Sequence, residues 1–361
     1  MHDLYLWQRR LRPLLIPPAA LRSLFMRAKA ALYAKNILPA WLPPAPSVCV
    51  GGLTPSARGK MMLSAWLLGW AEARGLRPAL LAMPGNAKPP RLPFPVTPAT
   101  PFAHCGPQMG LLARYRPGAA IWADTRPARA GKEAWKTLSP DLFILHDLFS
   151  DLSIRRQTDL VLLEPHDLDK GWNRPFPAGF WREGLPALAR AAAFVLHIGP
   201  RDIPARKALI ERRLKRLGKP VFTIHPRIWR LRHADGRTAD TLNNEPYLLI
   251  TPQSNQDMAA KAVQAFLGAP PRLKIVFPDS HRFTPQDKAQ IAADAARVRT
   301  PHILATNDAF PILDGLPGCN LWTYDPDVTL GPCLLTGQAF TPWWDARWAG
   351  GGCAPAPRRG E

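Results

Sequence analysis

The sequence is poor in the features that define several large protein classes. It has 5 cysteines, an odd number with no CxxC pair, which excludes both a zinc framework of ordinary spacing and a disulfide scaffold. Such usage fits a reducing compartment. No run of 18 apolar residues occurs, so no clear spanning helix is expected. A secretory signal is also missing: Arg9, Arg10 and Arg12 precede only a short apolar run, 14–16, which stops at Pro17-Pro18. Acidic residues are scarce, 27 against 47 Lys and Arg, giving a formal charge of +20. That balance points to an anionic partner: nucleic acid, an anionic membrane or a phosphorylated substrate. The basic residues are scattered rather than interleaved with aromatics on one element, and no nucleic-acid module is recognisable, so no nucleic-acid partner is expected.

What is present is enough apolar material, 47% of 361 residues, for one large domain or two modest ones. The 42 prolines cut the chain into short elements. Residues 18–38 read as an amphipathic helix, with Leu21, Leu24, Phe25, Ala28 and Leu32 forming one stripe flanked by Arg22, Arg27, Lys29 and Lys35. Such a helix either lies in the headgroup region of an anionic leaflet or packs on the core with its basic side solvated. Strand 47–52, a glycine turn, a helix over 60–73 and strand 78–82 make a βαβ unit. Further apolar strands fall at 141–145, 160–163 and 193–198, unbroken as buried parallel strands are. A basic helix spans 205–217. Strands and helices then alternate again, at 221–224, 247–251, 259–267, 273–277 and 285–298. Residues 340–361, rich in Trp, Gly, Pro and Arg, read as a frayed tail, and no internal repeat is visible.

The segment Thr54-Pro55-Ser56-Ala57-Arg58-Gly59-Lys60-Met61 lies between the first strand and its helix. A phosphate-binding loop belongs there, because backbone N–H groups and a helix N-terminus together favour an anion. In such a loop the Lys reaches the β- and γ-phosphates, and a Ser or Thr after it holds Mg2+. Only Gly59-Lys60 survives from GxxxxGK[ST]; Met61 replaces the hydroxyl, and a thioether is a poor ligand for a hard cation. Taken alone, the segment fits an ordinary strand-to-helix turn as well.

Longer blocks resemble the tetraacyldisaccharide 4'-kinase family. The run Pro46 through Thr54, followed by Gly59-Lys60, is similar to that family's PVxxVGNLTVGGTGKTP. Residues 146–164 match DDGxQHxxLxRDLxIVVxD in spacing without a gap. Pro177-Ala178-Gly179-Phe180-Trp181-Arg182-Glu183 resembles PAGxLRE, and Phe277-Pro278-Asp279-Ser280-His281 resembles FPDHH. The resemblance runs from about residue 18 to about 325. It implies an α/β fold: a P-loop NTPase-like parallel-sheet domain, a second, smaller C-terminal α/β domain and an N-terminal amphipathic helix. We accordingly divide the chain into 1–40, a membrane-associating segment; 41–200, the kinase-like domain; 201–335, the smaller domain; and 336–361, a tail.

The resemblance also implies the chemistry. The expected reaction moves the γ-phosphoryl of ATP, with Mg2+, to the 4'-hydroxyl of an acylated glucosamine disaccharide lipid. The expected place is an anionic surface, the cytoplasmic face of the bacterial inner membrane. Residues 54–61 are the nucleotide-binding candidates; Asp147 is the candidate metal ligand and, with Asp279 and His281, a candidate catalytic residue; Arg182 and Glu183 are substrate-binding candidates. Several family positions differ. The paired Asp-Asp reads His146-Asp147, the Asp of a GDEP block falls on Pro107, the first His of FPDHH is Ser280, and an RGYGG loop corresponds to residues 83–87. Two readings follow: a kinase with rearranged ligands, or a catalytically impaired paralogue that binds the lipid A precursor or nucleotide at the membrane surface.

Overall fold

The computed structural model describes residues 11–55, 59–253, 256–278, 281, 283–307, 309–310, 313, 316 and 319–352. The chain forms two units, 1–225 with 328–361, and 226–327.

The larger unit is built on strands β1 (Ser47–Gly52), β2 (Pro78–Ala82), β3 (Phe94–Val96), β4 (Ala120–Ala123), β5 (Leu142–His146), β6 (Thr158–Leu163), β7 (Ala193–His197) and the start of β8 (Val221–His233). Their order is β8-β7-β6-β1-β5-β2-β4-β3. Every neighbouring pair is parallel except β3 with β4. Strands β1, β2, β5, β6 and β7 are buried along their whole length, as parallel strands covered by helices on both faces must be. Alternate side chains feed two cores. Val48, Val50, Leu80, Ile144 and Leu160 point to one face, and Cys49, Leu81, Phe143, Val161 and Phe194 to the other. From β1 the chain crosses outward to β2 on one side, and β6 is later laid down on the other. The carboxyl end of β1 is therefore a topological switch point, the place where open α/β sheets take ligands.

The smaller unit continues β8 and adds β9 (Thr238–Ala239), β10 (Tyr247–Pro252), β11 (Leu273–Phe277), β12 (His302–Ala305) and β13 (Asn320–Gly331), in the order β11-β10-β12-β13-β8 with β9 paired to β8. Helices Gln256–Leu267 and Pro285–Arg297 complete it. The α/β character read from the sequence holds for both units.

Three expectations change. The unit boundary falls inside β8 and β13 rather than near residue 200, because β8 begins as a strand of the larger sheet, Phe194 opposite Val221. The tail is not frayed where it is described. Residues Phe340–Arg347 form a helix whose Phe340 and Trp344 are buried against the larger core, with Trp344 5.5 Å from Trp70. Eight residues carry too little periodicity to announce a helix. The N-terminal helix runs Arg12–Ala34 and contains Pro17 and Pro18. These prolines forgo bonds to the carbonyls of Pro13 and Leu14, and both of those residues are exposed, so water can satisfy them. The predicted apolar stripe points away from the core: Leu21 is 69%, Leu24 60% and Phe25 64% exposed, while Ala19 on the other face is buried. Among the described residues, no helix is long and apolar enough to cross a membrane.

Candidate active site

The site is assembled at the carboxyl end of β1. Gly51 lies so close to the chain following β5 that a Cβ on it would stand 2.5 Å from the Phe149 Cβ. Gly59 has φ 83, a conformation that suits glycine, and it opens helix α1 (Lys60–Glu72). Thr54 and Lys60 are buried, whereas Pro55 is exposed; Ser56, Ala57 and Arg58 lie outside the described residues. The Lys60 Nζ donates to the Thr54 carbonyl (3.4 Å), the Pro55 carbonyl (3.1 Å) and Asp147 Oδ1 (2.7 Å).

Asp147 follows directly on β5. Its amide donates to the Val50 carbonyl at 2.8 Å, which ties it to β1. Its φ is 55, a left-handed conformation that Asp tolerates better than most residues. Arg182 holds the carboxylate as a fork, Nη1 to Oδ1 and Nη2 to Oδ2, both at 3.0 Å. The Arg182 amide in turn donates to the Leu53 carbonyl at 2.6 Å. Two cations thus converge on one carboxylate beside the loop. Burial is the largest single influence on Asp147 and raises its pKa, but Lys60 and Arg182 together outweigh it and hold the carboxyl below its ordinary value. Burial also lowers the pKa of Lys60, against the pull of Asp147. An anion entering here meets more positive charge than Asp147 cancels.

His146, a substituted position, also reads from its place after an apolar strand as a satisfied buried histidine. It is 4% exposed, and its Nδ1 lies 3.0 Å from the Ser64 Oγ on α1, its Nε2 3.5 Å from Gln108 Oε1. Burial, with Lys60 nearby, pushes its pKa down to about 4, so the ring is neutral at physiological pH. No sequence signal marks Ser64 as its partner. The helical spacing of Lys60 and Ser64 does place both on one face of α1.

The remaining candidates separate. Glu183 does not join Arg182 at Asp147. It is 3% exposed, and its carboxylate takes a fork from Arg190 at 2.7 and 2.9 Å. His281 belongs to the smaller unit, where its Nε2 lies 3.0 Å from Asp287 Oδ2 and its ring stacks on Phe277 at 4.7 Å. Asp287 also caps the following helix, accepting from the Thr284 amide and hydroxyl at 2.7 and 2.9 Å. Asp279 lies outside the described residues. The sequence reading missed Arg190 as the partner of Glu183, Gln108 as the neighbour of His146 and Asp287 as the partner of His281.

The family model for tetraacyldisaccharide-1-P 4'-kinases matches residues 11–333. The chain belongs to this family. It is 34% identical over 343 residues to a tetraacyldisaccharide 4'-kinase of Nitratidesulfovibrio vulgaris, covering 95% of this chain and 96% of that one. It is also 34% identical to the same enzyme of Oleidesulfovibrio alaskensis, covering 94% and 96%. In fold it resembles the LpxK of Aquifex aeolicus, crystallised in complex with ATP: TM-score 0.68 at 22% identity, over 89% of this chain and 95% of that one. A 4'-kinase of this family is an ATP-dependent phosphotransferase of lipid A synthesis. Among the described residues, no group of three or more His, Cys, Asp and Glu converges as a metal cage. The single carboxylate at the loop still fits Mg2+, which keeps several waters and binds through one or two carboxylates plus substrate phosphates.

Proposed function

We propose that the chain phosphorylates the 4'-hydroxyl of a tetraacyldisaccharide 1-phosphate with ATP, using the cluster of Lys60, Asp147 and Arg182 at the end of β1. The observation that carries this reading is the ion-pair geometry, a buried lysine and a forked arginine sharing one carboxylate at a helix N-terminus. In the reaction, the sugar oxygen forms a bond to the γ-phosphorus, the bond to the ADP oxygen breaks, and the hydroxyl proton passes to a base. Lys60 exchanges its carbonyl and carboxylate partners for phosphate oxygens, and residues 54–61 are the nucleotide-binding candidates. Bound Mg2+ supplies charge neutralisation across the phosphates. Asp147 is the residue that would hold it, and Arg182 keeps that carboxylate in one orientation. His281 is the acid–base candidate, its Nε2 lying 3.0 Å from Asp287 Oδ2. Asp279 precedes it in the sequence as a second candidate.

The exposed stripe of the N-terminal helix supports action at a membrane surface. Leu21, Leu24 and Phe25 are apolar and open, and Arg22 and Arg27 beside them suit anionic headgroups. The cytoplasmic face of the inner membrane, where an acylated disaccharide is presented, is the proposed location.

The deciding measurement is transfer of radiolabelled phosphate from ATP to a tetraacyl disaccharide in mixed micelles with Mg2+. We expect transfer by the wild-type chain and a loss of at least about 100-fold in Lys60→Ala and Asp147→Ala, as for removal of a group that stabilises transition-state charge. A folded wild-type chain that binds the lipid and transfers nothing overturns the proposal.

A further inference from the structure

The turn that carries Asp147 is held from behind by groups that the proposed reaction does not use. The Phe149 carbonyl accepts from Arg156 Nη2 at 2.6 Å and from Arg190 Nη2 at 3.4 Å. The Arg156 side chain is 4% exposed. It also donates to the carbonyls of Asp151 and Ile154 and, through Nε, to Asp159 Oδ1 at 2.9 Å. Arg190 forks Glu183 and places its guanidinium 4.5 Å from the centre of the Phe149 ring. Phe149 in turn sits flush on β1, its nitrogen 2.9 Å from where a Gly51 Cβ would stand. These contacts matter because Asp147 holds φ 55, and a non-glycine residue persists there when its surroundings over-determine it.

We propose that Arg190 is a positioning residue for Asp147, acting through the Phe149 main chain, and that Glu183 acts through Arg190. Adjacent residues Arg182 and Glu183 then grip one turn at two points. Arg182 takes the carboxylate itself. Glu183 orients the arginine that holds the carbonyl two residues further on. The arrangement resembles the outer supports of metal ligands, whose removal costs about 10–100-fold in metal affinity. The inference rests on the proposed role of Asp147.

Arg190→Lys tests this, because a lysine still neutralises the buried Glu183 but cannot reach it as a fork while holding Phe149. Arg190→Met serves as the stronger variant if it folds. Two readouts are taken on full-length protein: Mn2+ binding by electron paramagnetic resonance with a non-hydrolysable ATP analogue, and backbone hydrogen exchange. Arg190→Lys should weaken Mn2+ binding about tenfold, leave nucleotide affinity in chelator within about twofold, and speed exchange at 147–151 more than in β1, β5 or β6. Glu183→Gln combined with Arg190→Lys should weaken Mn2+ no further than Arg190→Lys alone, since both act along one path. Wild-type Mn2+ affinity in Arg190→Lys, or exchange that rises equally across the sheet, overturns the proposal. If the wild-type chain takes no metal–nucleotide, the functional reading falls, and exchange at 147–151 still decides whether Arg190 holds this turn.

Discussion

The two ends of the described chain carry helices of opposite fate. The N-terminal helix has 23 residues, and its main apolar stripe, Leu21, Leu24 and Phe25, stays more than half exposed. The C-terminal helix has 8, yet Trp344 and Phe340 are sealed into the larger core beside Trp66 and Trp70. The longer, more visibly amphipathic helix is the less packed one. Amphipathicity establishes that a helix has an apolar face; it does not establish what covers that face. A membrane surface covers an open stripe as effectively as a core covers a closed one.

The comparison can be broken most sharply at Trp344. Trp344→Ala should cost about 3–5 kcal/mol, the usual range for emptying a fully buried aromatic site. Denaturant unfolding followed by far-ultraviolet circular dichroism reads it, and a loss under about 1 kcal/mol would show that the C-terminal helix is no part of the core.

Covered and open groups differ in titration too, and His146 is the covered one. Its folded pKa of about 4 lies below the ordinary 6.5, so between these values the unfolded chain binds a proton that the folded chain does not. Its contribution is complete above about pH 6.5 and is lost as pH falls toward 4, by about 3 kcal/mol in all. Unfolding free energies at pH 7 and pH 5 should show this slope in the wild-type chain and a flatter one in His146→Asn. Identical slopes would mean that the ring is not buried neutral.

At the open end the expectation reverses. Replacing Leu21, Leu24 and Phe25 together by Gln should leave the unfolding free energy within about 0.5 kcal/mol per site, as for exposed positions generally. Partition onto phosphatidylglycerol vesicles should drop at least about tenfold, since each apolar side chain that leaves water contributes roughly 1.5–3 kcal/mol when fully buried. A large loss of stability with unchanged vesicle binding would mean that the stripe is covered by protein. The smallest effect is expected at Asp345, whose Oδ1 accepts from Trp70 Nε1 and Arg74 Nη2, both at 2.8 Å. This pair is substantially exposed, so Asp345→Asn should cost no more than about 1 kcal/mol.

Much of the larger unit was legible in the sequence because its strands are buried on both faces. Strands 78–82 and 193–198 announced themselves as unbroken apolar runs. Strand β4, only four residues long, was missed, and it is flanked by Tyr115–Gly118 on one side and the polar Asp124-Thr125 on the other. The position of Lys60 between strand and helix was legible from the spacing. The partners of Asp147 and Glu183 were not. Arg182 and Glu183 are adjacent in sequence, and nothing in their order says that one turns to the loop and the other to Arg190, seven residues on. His146 was legible as a buried histidine after an apolar strand; only the structure shows Ser64 beside it and the ring held neutral.

By itself, the sequence determined the alternation of strands and helices, the turn between the first strand and the helix that begins at Lys60, the excess of positive charge and the family blocks around Asp147 and Arg182. These are local properties: periodicity, composition and short-range spacing. Tertiary structure alone decided which charges meet, which aromatic helix is buried and which apolar stripe stays open. The reason is physical. A side chain's hydrogen-bond partners and its contact with water are set by residues brought close through folding, such as Lys60 and Asp147, 87 positions apart.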